Sequence, residues 1–190
     1  MELMLESAHL TTAQIEAGMG DVLASPKRIG TLQLIVRRPK VNARETVRSG
    51  ELDIHDGLVG DNWLKKGNRW RRGGDPKRQI TLMNWRFARL IAVDENRIQL
   101  AGDQLYVDLD LRKENIPPGT RLVIGRSMIE VTAPPHLGCK KFVARFGLDA
   151  MNFANSEFGR LNNLRGVNAM VITGGDISTG DQVEVLRVTD

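Results

Sequence analysis

At 190 residues the chain has room for one domain with a sizeable core and little room for a second. A single cysteine excludes an internal disulfide and any multi-cysteine zinc centre, and no apolar run nears the ~18 residues that a spanning helix needs. The formal charge of +4 is too small to argue for nucleic acid, and the opening MELMLESAHL has no basic stretch before an apolar one, so a reducing, cytoplasmic setting is expected.

In chain order, TTAQIEAGMGDVLAS predicts an amphipathic helix. Ile15, Met19, Val22 and Leu23 recur at helical spacing, Thr12 is a candidate cap, and Pro26 marks the end. From Ile29 the texture becomes short β-rich segments broken by turns, beginning with TLQLIV and ARETVRSGELDI. MNWRFARLIA (83–92) is a helical interruption. TRLVIG and SMIEVT flank a short turn and predict a hairpin. GCKKFVARFG and DAMNFANSEFG predict two further helices, with Asp149 as a cap and Gly159 as a stop. VNAMVIT and DQVEVLRV bracket GGDISTG as strand, turn and strand, with Val183 and Val185 on one buried face. Many short strands with sparse helices predict a mainly β fold, a closed or strongly curved barrel.

Charge gathers in KKGNRWRRGGDPKRQ (65–79), where seven cations face only Asp75. Such a stretch is either a solvated loop or an anion-binding loop. GLVGD (57–61) and the two GGD triplets lack phosphate-loop and dinucleotide spacing, so turn chemistry is their simpler explanation. His9, His55 and His136 have no paired-ligand spacing.

The lone thiol lies in PPHLGCKKF (134–142). In a helix, Cys139, Phe142, Val143 and Phe146 form one apolar stripe, which favours a buried structural sulfur. Against this, Pro134 and Pro135 confine Cys139 to the first turn, where free backbone N–H groups favour a thiolate. Lys140, Lys141 and His136 add the positive surroundings that lower a thiol pKa. His136 is also a candidate partner for Cys139 in catalysis. Both accounts of the sulfur stand on sequence.

Taken together, GLVGDNW (57–63), RRGGDPKRQITLMN (71–84), NIPPGTRLVIGRSMIEVTAPPHLGCKKF (115–142), RFGLDAMNF (145–153) and GRLNNLRGVNAMVITGGDISTGDQVEV (159–185) resemble the MOSC domain. That family is named for the C-terminal domain of molybdenum cofactor sulfurase, and Cys139 falls at its characteristic cysteine. The resemblance, which runs over roughly residues 28 to 188, implies a barrel-like MOSC domain, taken as 28–190; the segment before it (1–27) is expected to pack its amphipathic helix on that domain. It implies molybdenum cofactor (molybdopterin) as cofactor. Cys139 would then be either a molybdenum ligand in a reductase of N-hydroxylated compounds or a persulfide carrier. Arg72, Gly73, Gly74, Arg78, Lys141 and Arg145 are the candidate cofactor contacts, since guanidinium forks and backbone amides suit a phosphate. GDQL (102–105) departs from the Gly-Glu-Asn-Leu element of the family. The expected partners are a small-molecule substrate and a separate sulfur donor (a desulfurase) or electron-transfer protein. A non-enzymatic anion or nucleic-acid module on 65–79 is a third option. Aromatic content of 5% leaves few stacking platforms for it.

Overall fold

The computed structural model describes residues 9–65 and 73–186. Its strands are β1 (Ile29–Arg37), β2 (Glu45–Val47), β3 (Ser49–Asp53), β4 (Gly57–Leu58), β5 (Ile80–Asn84), β6 (Leu105–Asp108), β7 (Arg121–Ile124), β8 (Ser127–Val131), β9 (Val167–Thr173), β10 (Gly175–Ser178) and β11 (Gln182–Leu186). The helices are α1 (Thr12–Leu23), α2 (Trp85–Ala92), α3 (Lys140–Asn155) and α4 (Glu157–Leu161).

Seven strands close into a barrel in the order β1, β11, β7, β8, β9, β5, β6, with β6 pairing back to β1. Closure removes the exposed edges that an open sheet of this size would carry. The barrel and its few short helices match the sequence expectation. Neighbours in the barrel pair antiparallel except β5 with β6. A parallel pair needs a crossover, and α2 with the 3-10 turn Glu95–Ala101 supplies it. The small sheet β10-β3-β4 contributes Leu52, Leu58 and Ile177 to the same core as the barrel interior.

Two apolar cores result. Leu32, Ile35, Ile80, Leu82, Leu122, Ile129 and Val183 fill the first. The second lies between barrel and helices, where Ile15, Met19, Phe87, Tyr106, Phe142 and Phe146 meet. A register shift between Leu32 and Leu34 in β1 lets one strand serve both, with Ile35 in the first core and Val36 in the second. All five residues of β5 are buried, as expected of a strand covered on both sides.

Gly30 sits where β1 pairs with both β11 and β6. A Cβ there would lie 2.1 Å from the Asp108 carbonyl oxygen. Gly30→Ala should therefore cost roughly 1–3 kcal/mol by overpacking, read as a lower urea midpoint. Gly20→Ala, on α1 with nothing within 4 Å, should gain up to about 1 kcal/mol by helix propensity.

Local signals differ from sequence expectation at four points. Thr11, not Thr12, caps α1, because Thr11 and Gln14 form a reciprocal capping box. Asp149 caps no helix of its own; its Oδ2 accepts the N–H of Thr12 at 3.0 Å and so ties α1 to α3. The GGDISTG segment is not a plain turn, since it contains β10, and its flanking strands β9 and β11 never pair with each other. The two helices expected around Phe146 begin as runs of α3 joined across Gly147, which takes φ +89°. The second stops at Asn155, not at Gly159: Ser156 caps a new helix, α4, and Gly159 lies inside it.

Candidate functional site

The site is organised by three residues ahead of β6. Gly102 takes φ +91°, which turns the chain sharply enough to bury the next two side chains. Gln104 is fully buried. Its Oε1 accepts from Thr81 N at 2.8 Å and Oγ1 at 2.7 Å, and its Nε2 donates to the Gln79 carbonyl at 3.0 Å. Asp103 has no solvent exposure and lies between two segments remote in sequence. Arg165 Nη1 donates to its Oδ2 at 2.6 Å, while His136 Nδ1 sits 3.3 Å from its Oδ1. Arg165 also donates to the Ala101 carbonyl at 3.0 Å and stacks 5.0 Å from the Phe142 ring, fixing the first turn of α3 above it.

Burial, opposed by the Arg165 and Arg38 charges, raises the Asp103 carboxyl. Burial first, then the charges of Arg165, Arg38 and Arg78, holds the His136 imidazole well below its ordinary 6.5. His136 is therefore neutral at neutral pH. Its Nδ1 and Asp103 Oδ1 are both buried and not aligned as a hydrogen bond, so both retain bonding capacity. The unfolded chain takes up a proton near 6.5 while the folded imidazole resists it. Stability contributed by neutral His136 is thus full above about pH 6.5 and lost as pH falls toward the lower folded value. Denaturant titrations from pH 7.5 to 5 should show the loss, at most about 1.4 kcal/mol per pH unit. His136→Gln should flatten that part of the profile; an unchanged slope would rule out the imidazole.

Cys139 is exposed at the N-cap of α3. Its carbonyl accepts from Phe142 N at 2.8 Å and Val143 N at 3.1 Å, while its side chain caps nothing. The apolar stripe is therefore incomplete: Phe142 and Phe146 are buried, and the sulfur is not. Chain entry sets this outcome, because the Gly138 N–H and carbonyl are clamped by Asn155 at 2.8 and 3.2 Å.

Around the same face the protein gathers guanidinium groups. Lys141 Nζ reaches Asn42 Oδ1 at 3.2 Å, docking the start of α3 on the loop that carries Arg44. Arg145, further along α3, donates to the Leu100 carbonyl at 2.6 Å. A Cβ on Gly102 would stand 3.2 Å from Arg44 Nη2 and 3.6 Å from Arg145 Nη1, so the bare glycine leaves room for both. Burial, then the Arg145 and Arg38 charges, lowers the Arg44 guanidinium. Arg38 is neutralised by Asp61, bound through Nε at 2.8 Å and Nη2 at 2.9 Å. Among the described residues neither Arg44 nor Arg145 forms an ion pair, and Arg44 Nε is buried without a hydrogen bond. Two adjacent cations lacking a carboxylate fit an anion such as a phosphate.

The structure thus brings Cys139, Lys141 and Arg145 onto one segment and places His136 on the buried Asp103. Arg78 is exposed and donates to the Pro135 carbonyl at 3.2 Å, on the strap leading to Cys139. Gly73 takes φ +84°, and Gly74 lets Trp63 pack where a Cβ would meet the indole at 2.4 Å. Arg72, with the basic residues of 66–71, lies outside the described residues. Sequence analysis did not single out Arg38, Arg44, Asp61 or Arg165 as site residues. From sequence the GDQ triplet reads only as a family departure; two polar residues directly ahead of the run 105–107 are the signal that marks it.

No protein-family model matches the sequence, and no curated protein sequence does. Solved structures do match. The YuaD protein from Bacillus subtilis is 16% identical with a TM-score of 0.58, over 83% of this chain and 95% of that one. YiiM from Escherichia coli is 21% identical with a TM-score of 0.53, over 84% of this chain and 72% of that one. YiiM from Geobacillus stearothermophilus is 14% identical with a TM-score of 0.55, over 84% and 75%. YuaD and YiiM are MOSC-domain proteins built on a closed seven-strand barrel. The barrel here shares its fold with these structures. Within this fold, the strap from Pro134 to Cys139 and the GDQ triplet meet at His136 and Asp103. No described helix is long and apolar enough to cross a membrane.

Proposed function

We propose that this cytoplasmic protein binds molybdenum cofactor and reduces N-hydroxylated small molecules. Cys139 is the protein's ligand to molybdenum, and Arg44 and Arg145, assisted by Lys141, hold the pterin phosphate. The observation that carries the proposal is an exposed thiol on the segment that also bears Arg145, docked by Lys141 on the loop of the unpaired Arg44. The bound cofactor supplies a two-electron centre. Conversion of a hydroxylamine to an amine consumes two electrons and two protons and releases water, with electrons from a separate redox protein. Neutral His136, held beside Asp103, is the proton-handling group. Arg72, Gly73, Gly74 and Arg78 remain proposed contacts from the adjoining loop.

Exposure of Cys139 favours one second role, that of a sulfur carrier. The Cys139 thiolate would take the outer sulfur of a desulfurase persulfide, releasing the desulfurase thiolate and leaving a persulfide on Cys139. Two measurements separate the roles. Stoichiometric molybdenum in protein from a cofactor-producing host supports the reductase. One added sulfur at Cys139 in the intact mass after desulfurase treatment, without metal, supports the carrier. Neither signal from a folded, accessible thiol rejects both.

A further inference from the structure

A cleft of about 480 Å³ is lined along one side by the 134–137 strap. Cys139, Arg44 and Arg145 do not line it, so it is separate from the proposed cofactor contacts. Its walls are apolar, with Ile116, Val131, Leu137 and Val167 beside Pro117 and Pro134. Exposed Lys113 and Arg160 stand at its rim, and buried Arg165 and half-buried His136 lie deeper. No aspartate or glutamate lines it among the described residues. Arg165 and His136 are both turned to the buried Asp103, at 2.6 and 3.3 Å, which leaves Lys113 and Arg160 as the cations open to a ligand. Asn168, also buried in the lining, spends its amide on the Pro134 carbonyl at 2.9 Å and so holds the strap open over the cleft.

We propose that this cleft is a binding site for a small aromatic carboxylate. The volume lies in the range of small-molecule pockets, the flat proline and aliphatic walls suit a ring, and a rim bearing Lys113 and Arg160 with no lining carboxylate favours a single negative charge. The exposed Lys113 ammonium and Arg160 guanidinium at the rim offer the donors a carboxylate requires. His136 and Leu137 line the cleft and precede Cys139 by only three and two residues, so a ligand seated there abuts the segment that carries the thiol.

Calorimetry and amide-shift mapping on the full chain, with 2-naphthoate as probe and 2-naphthamide as its neutral counterpart, test the proposal. Saturable naphthoate binding is expected, with shifts at the Leu137, Gly166 and Asn168 amides and at least tenfold weaker binding of the amide. Lys113→Glu with Arg160→Glu, both at exposed positions, should weaken naphthoate at least tenfold; Lys113→Glu alone serves should the pair unfold. No binding at millimolar naphthoate, equal affinity for the amide, shifts confined to other surfaces, or indifference to rim charge reversal would each overturn it. Because the cleft shares no phosphate contact with the cofactor site, protein without molybdenum must give the same result, and loss of the cofactor proposal would leave this one standing.

Discussion

Cys139→Ala is expected to lower molybdenum content from stoichiometric to background, while the protein keeps its fold. The sulfur is exposed and caps no backbone N–H, so the change removes neither core packing nor a cap. Surface changes of that kind stay within about 0.5 kcal/mol. Arg145→Gln should act on the phosphate end of the cofactor, and it also removes the bond to the Leu100 carbonyl, so its unfolding is followed beside its cofactor content. Loss of one charge-assisted bond costs about 1.5–3 kcal/mol, or roughly tenfold or more in cofactor retention, with the metal still bound at saturating cofactor. Elemental analysis beside thermal unfolding checks both variants. Molybdenum retained in a folded Cys139→Ala protein would sink the assignment of the sulfur as ligand.

Arg165→Met is expected to be the most damaging single change at the site, and for stability before activity. It strands the Asp103 carboxylate, which has no solvent exposure and accepts from Arg165 at 2.6 Å. Breaking a buried ion pair from one side costs about 3–5 kcal/mol. For a chain of this size the unfolding temperature should fall by roughly 10 °C. Replacing both partners, Asp103→Leu with Arg165→Met, should recover much of the loss, because no charge is then left unpaired. His136 gives an independent readout. With Arg165 gone, one of the charges that depress its pKa disappears, so its titration should move upward. A double variant no more stable than Arg165→Met would place the cost in lost packing against Phe142 instead.

Much of this organisation was legible in the chain. Alternation in DQVEVL places Val183 and Val185 inside and is borne out by their burial. The prolines before Cys139 put it at the start of α3, where it stands. Less legible were partners set by long-range pairing. Asp61 reads as a turn residue in GLVGD, yet it neutralises Arg38, 23 positions earlier. Asp149 reads as a helix cap, yet its carboxylate serves Thr12, 137 positions away. Local sequence fixes a side chain's hydrogen-bonding capacity, and only the packed chain decides which group meets it.

By itself the sequence determined the supply of chemistry: one thiol, many cations, and short strands that require a closed sheet to bury their apolar faces. It also set the conformational exceptions, since glycines at 102 and 147 permit left-handed turns that most residues resist. Tertiary structure alone decided that the sulfur faces solvent while its helical neighbours are buried, and that Asp103 joins Arg165 to His136. The physical reason is that burial and electrostatic pairing depend on distances in space, and barrel closure brings together segments more than sixty residues apart.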